Sequence, residues 1–318
     1  MEEKEFSLRQ ATNEVSGNGY LKDINLAYTT TDNNVVIKGT ITMAVDEKVG
    51  HKLKVYCAKK NRDGTESSVY SYYDSLLQNV GNINSVVNIL KNNPEMSAES
   101  ALAMSRRLFV RGSINPYEYL DDKDVLKTSI DVKATYIGDA REDIKFEPGL
   151  KYKCEVFIDA LKDEKNEEGQ DTGRGILIAS LPLYGNDIAR VEMIVPSEYK
   201  NDVANLYKAG DTARVYGKFN TTITVEEGED PAKTLAFGVA PEKTVTTKSK
   251  TELVITGGDA PYGAQNENTY KKEDIEAARV AKFEKLQKNK EEYAARKEKE
   301  GEGDQPAPVT VKTGFKFA

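Results

Sequence analysis

The chain has 318 residues, room for two domains of ordinary size, with 38% apolar residues, 31% charged residues and a net charge of −7. That charge excludes clinging to duplex DNA through overall basicity, although a sum leaves the sign of any single face open. One histidine, two cysteines and no tryptophan leave little for His-dependent triads or zinc sites, so a non-catalytic protein without metal or cofactor is expected.

No apolar run approaches the roughly 18 residues that span a bilayer. The opening MEEKEFSLRQ is acidic and polar rather than basic and then apolar, so a cytoplasmic protein is expected, with no membrane partner. The Gly-bearing segment 17–23 (GNGYLKD) lacks the Lys-Ser/Thr ending of a phosphate loop and reads as a turn. Residues 35–45 (VVIKGTITMAV) alternate and predict a half-buried strand, and residues 52–60 a second, with Leu53, Val55 and Cys57 inward. Asp63-Gly64 suits a hairpin turn. Tyr70, Tyr72 and Tyr73 read as packing residues.

Helical spacing takes over in 75–106, broken by Pro94 and restarted by Ser97 as an N-cap. Strands resume at 107–115 and 126–137, divided by the acidic turn DDKD, whose Asp121, Asp122 and Asp124 read as solvated rather than ion-binding. Five strands with a helix after the third is the order of an oligonucleotide-binding (OB) barrel. After the junction 138–149 the order restarts, with strands at 151–158, 176–183 and 188–195, a helix opened by Pro196-Ser197, and strands at 212–220 and 252–256.

The expected fold is therefore mainly β: two OB-like Greek-key barrels with short helices, a C-terminal charged α-helix and a flexible tail. The domains expected are 1–145, with the helical insertion at 75–106, then 146–258, then 259–318. In the last, a Gly-rich loop precedes a helix at 271–299 whose sizeable apolar residues, Ile275, Val280, Phe283, Leu286 and Tyr293, form a stripe too thin to anchor it in a core. Cys57 and Cys154 read as buried free thiols.

The candidate functional residues lie on the outward strand faces, since strand neighbours point alternately in and out. They are Lys52, Lys54, Tyr56 and Lys60 on one strand, Arg107, Phe109, Arg111 and Tyr117 on another, and Arg214, Tyr216 and Lys218 in the second barrel. Cations follow a phosphate backbone while aromatic rings stack on unpaired bases, which duplex DNA does not expose. The combination points to single strands, and stacking alone leaves DNA and RNA undivided.

The segments RLFVRGSINPYEYLDDKDVLKTSIDVKATYIG and ARVYGKFNTT resemble the last strands of bacterial and phage single-stranded DNA-binding proteins. The resemblance implies an OB fold, a phage-encoded protein of the host cytoplasm, a role in DNA replication or recombination, and Arg107, Phe109, Arg111 and Tyr117 facing the nucleic acid. It also implies docking of replication partners by the aromatic tip, Phe315 and Phe317, although Lys316 stands where the family carries acid. The alternative is a structural or scaffolding (virion or assembly) protein whose barrels and charged helix make protein contacts. The oligomeric state stays open.

Overall fold

A computed structural model describes residues 7–31, 34–121, 123–143, 145–227 and 245–301. The first half runs β1 (Asn13–Thr31), β2 (Asn34–Ala44), β3 (Gly50–Ala58), α1 (Tyr70–Gln78), α2 (Val86–Asn92), α3 (Ala98–Met104), β4 (Arg107–Leu120) and β5 (Leu126–Asp139). The second runs β6 (Gly149–Lys165), β7 (Asp171–Pro182), β8 (Ile188–Val195), α4 (Ser197–Leu206), β9 (Thr212–Glu227) and β10 (Val245–Gly258), followed by α5 (Lys272–Gly301).

The strands close twice. β1 pairs antiparallel with β2 and β4, β2 with β3, β4 with β5, and β3 meets β5 in parallel. The second half repeats the circuit: β6 with β7 and β9, β7 with β8, β9 with β10, and β8 parallel to β10. A five-stranded Greek-key circuit with a helical crossing after the third strand is the OB barrel, and it occurs here in tandem.

The alternation that predicts these strands also fills the barrels. On β3, His51, Leu53, Val55 and Cys57 are buried while Lys52 and Tyr56 are exposed. Leu21, Ile37, Ile41, Met43, Leu108, Ile114 and Ile137 complete the first core, and Val156, Leu177, Val191, Met193, Val215 and Leu253 belong to the second. Each fully buried Leu, Ile, Val or Met contributes about 1.5–3 kcal/mol relative to an exposed one. Both cysteines are buried and free.

The two barrels share one ten-stranded sheet, because the first half of β1 pairs with β4 on one edge and with β6 on the other. Segment 17–23, expected as a turn, lies inside β1. Its glycines serve close approach: a Cβ on Gly17 would sit 2.0 Å from the Gly149 carbonyl oxygen. One other local expectation is corrected, while the packing expected of the tyrosine cluster is found. Asp63-Gly64 makes a turn, with Gly64 at φ 84°, but the chain goes on to α1 after an isolated Lys60–Glu66 bridge instead of returning as a strand. Tyr70, Tyr72 and Tyr73 stand on α1, where Tyr73 is buried and the other two pack on the core.

The helix α5 is also more firmly held than its stripe suggests. Ile275 and Ala278 are fully buried, and Leu286 nearly so. Arg279 bonds the Asp159 carboxylate and Ser180 Oγ, and Lys282 Nζ lies 2.8 Å from Asp187 and 3.8 Å from Glu118. Farther along, Lys290 Nζ donates to Asp124 at 2.6 Å and to the Asp121 carbonyl at 2.7 Å. Glu118, Asp121 and Asp124 belong to the first barrel, Asp159 and Asp187 to the second, so α5 straps the two together. A stripe too thin for a core is supplemented here by ion pairs with carboxylates distant in sequence. Among the described residues, no helix is long and apolar enough to cross a membrane.

Candidate nucleic-acid interface

On the outer wall of the first barrel, β3 lies beside β5 and β5 beside β4. The register places Lys38 of β2 opposite Tyr56, Lys54 opposite Lys133, and Lys133 opposite Ser113. Residues paired across a sheet point to the same face. Lys38, Lys52, Lys54, Tyr56 and Lys133 thus form one surface with Tyr117 and Tyr119 at its β4 end. Tyr56 and Tyr117 keep 55% and 57% of their area exposed, so both rings are accessible from solvent. Lys54 Nζ pairs with Asp131 at 2.6 Å and lies 5.8 Å from the centre of the Tyr117 ring. Lys60 is exposed beyond the end of β3, in the turn that precedes α1.

A second cluster occupies the start of β4. Arg111 opposes Tyr136 and Gly112 opposes Ala134, so Thr135 is an extra residue in β5, a bulge. Its effect is to reverse the strand's alternation and turn Tyr136 outward. The Tyr136 hydroxyl covers the spot, 2.3 Å away, where a Cβ on Gly138 would project, and its ring centre lies 6.4 Å from that of Phe109. The Arg111 guanidinium stands 5.4 Å from the Phe109 ring centre, and that of Arg107 4.9 Å from Phe146. Among the described residues Lys38, Lys52, Lys133, Arg107 and Arg111 have no ion-pair partner, while Asp131 and Asp121 are engaged by Lys54 and Lys127. The face therefore presents unneutralised cations between accessible rings.

The second barrel differs. The guanidinium of Arg214 lies 3.2 Å from Glu155 and 3.8 Å from Asp259, and the Tyr216 hydroxyl donates to Asp259 at 2.9 Å. Glu155 is a buried carboxylate that also accepts from Arg9, from the Thr12 amide and from the Tyr262 hydroxyl at 2.5 Å. Burial alone would raise its pKa. The bonds from Tyr262, Thr12 and Arg9 outweigh it and hold the carboxyl at about 2. Arg214 and Tyr216 are thus occupied in an internal network, and Lys218 is the exposed member of that group. Phe315 and Phe317 lie outside the described residues.

Some members of the face went unnoticed in the sequence. Tyr119 and Lys133 could have been found by carrying the alternation of β4 and β5 to their ends. Tyr136 could not, because nothing marks the bulge at Thr135.

Two solved structures are similar over most of the chain: the wild-type single-stranded DNA binding protein from Thermus aquaticus, at 11% identity and a TM-score of 0.43, covering 81% of this chain and 97% of that one, and a deletion mutant of the same protein, at 10% and 0.42, covering 81% and 98%. No curated protein matches the sequence. The model of the YorF family spans residues 11–292, which takes in both barrels and the docked part of α5, and the chain belongs to that family.

Proposed function

We propose that this protein binds single-stranded DNA without catalysis, in replication or recombination, through the outer face of its first barrel. The observation that carries the reading is the placing of unpaired cations (Lys38, Lys52, Lys133, Arg107, Arg111) among exposed rings (Tyr56, Tyr117, Tyr136) and the half-buried ring of Phe109 on adjoining strands. Backbone phosphates meet the cations, and unpaired bases stack on the rings at about 1–3 kcal/mol each without regard to sequence. Duplex DNA satisfies the cations but leaves the rings unused.

A scaffolding role draws on the charged helix as a partner-binding element. That helix is held down on its own barrels by Ile275, Arg279, Lys282 and Lys290, which favours the nucleic-acid reading. The test is direct competition: labelled oligo-dT bound to the full chain, displaced by unlabelled oligo-dT, oligo-rU and duplex DNA. Displacement by oligo-dT at concentrations where duplex is ineffective supports the proposal. Equal displacement by duplex rejects it, and preferential displacement by oligo-rU reassigns the ligand to RNA.

A further inference from the structure

We infer that the track for single-stranded nucleic acid crosses the β1–β6 seam onto the second barrel, with Ser16, Lys151 and Lys218 as its contacts there. The inference rests on the single-strand reading of the first barrel and adds a site beyond it.

The sheet register supplies the argument. Ser16 of β1 lies opposite Arg111 of β4 on one edge and opposite Lys151 of β6 on the other. Lys151 in turn lies opposite Lys218 of β9, and Arg111 opposite Tyr136 of β5. Tyr136, Arg111, Ser16, Lys151 and Lys218 therefore form one lateral row over five neighbouring strands. At the usual strand separation of about 4.8 Å, the row is about 19 Å long. All five residues are exposed, whereas Val15 and Tyr152, one residue along on β1 and β6, are buried beneath. The row is thus a single outer surface running from the Phe109 cluster to the second barrel.

Charge gives the row its direction of use. Lys151 and Lys218 are like charges placed directly opposite each other, an arrangement that destabilises a sheet unless an anion is supplied from outside. Of the acidic neighbours, Glu14 is 3.8 Å from Lys153, and Glu147 is 2.6 Å from Lys145 and meets the charge of Lys151 only from beyond ion-pair distance. Neither Lys151 nor Lys218 has an ion-pair partner among the described residues. Between these lysines and Arg111 stands Ser16, whose small hydroxylated side chain lets a sugar–phosphate backbone pass close to the sheet. The seam is also closely apposed, since Gly17 admits no side chain beside the Gly149 carbonyl.

The experiment compares the wild-type chain with K151A/K218A, and with K151R/K218R as the charge-preserving variant. Each is titrated with a short oligo-dT of about 8 nucleotides and a long one of about 30, because one OB barrel covers about 4–16 nucleotides. The alanine variant is expected to bind the short strand as wild type does and the long strand about tenfold more weakly. Its salt slope for the long strand is expected to be shallower by about 1.4, two contacts at about 0.7 each, with the arginine variant restoring both values. A folded alanine variant that binds the long strand with unchanged affinity and slope confines the track to the first barrel and overturns the inference. So does equal loss on both strands, which would place the lysines in the primary site. Failure of the wild-type chain to bind either strand rejects the underlying reading itself.

Discussion

The Arg111 guanidinium lies 5.4 Å from the centre of the Phe109 ring, on a face that also carries Tyr136. A cation held beside a half-exposed ring is placed to take a phosphate while the ring takes the adjoining base. Phe109→Ala should weaken oligo-dT binding by about 1–3 kcal/mol. Because the ring packs outside the barrel, the melting temperature should stay near that of the wild type. Isothermal titration beside a thermal melt checks both; a lower melting temperature with intact binding per folded molecule would assign Phe109 to packing.

Gly17 sets the distance between the barrels. Gly17→Ala places a methyl group 2.0 Å from the Gly149 carbonyl oxygen, and both atoms belong to backbones fixed in strands. Urea denaturation should show a loss of at least about 2 kcal/mol, at or above the middle of the range for overpacking.

The Glu155 network makes stability depend on pH in a defined window. Its folded pKa, about 2, lies below the roughly 4.3 of an unfolded glutamate. The carboxylate therefore contributes its full stabilisation above about pH 4.3, and that contribution is lost as the pH falls toward 2. Urea midpoints measured across this range should decline in the wild type and decline less steeply in Glu155→Gln, which starts from a lower value.

The strap formed by α5 should come loose when one cation is removed. Burial pushes the Glu118 carboxyl up, and the Arg190 amide and Lys282 draw it back in part. Lys282→Ala leaves that buried acid with the Arg190 amide but without its cation, and should cost about 1–3 kcal/mol. Lys288→Ala, which removes an exposed i,i+4 pair with Glu292, should cost about 0.5 kcal/mol or less. Hydrogen exchange along α5 should rise in the first variant and not in the second.

Much of this was legible in the sequence because local alternation decides it. The run HKLKVYC declares which side of β3 is core, and Ser97 accepts the Ser100 amide at 3.2 Å as the cap of α3. What stayed hidden depends on partners distant along the chain. Glu155 engages Arg214 across 59 positions and Tyr262 across 107. The glycines of β1 looked like a turn because their use is the approach of another strand. Tyr136 faces outward only because Thr135 bulges, and α5 is anchored by carboxylates that no helical periodicity could reveal.

The central claim is tested most directly by titrating the full-length protein with fluorescent oligo-dT over a series of salt concentrations. If Lys38, Lys52, Lys133, Arg107 and Arg111 each neutralise a phosphate of a strand of about 8 nucleotides, the logarithm of the binding constant should fall against the logarithm of salt with a slope of about −3.5. Binding that is absent at low salt, or that holds constant as salt rises, would contradict it.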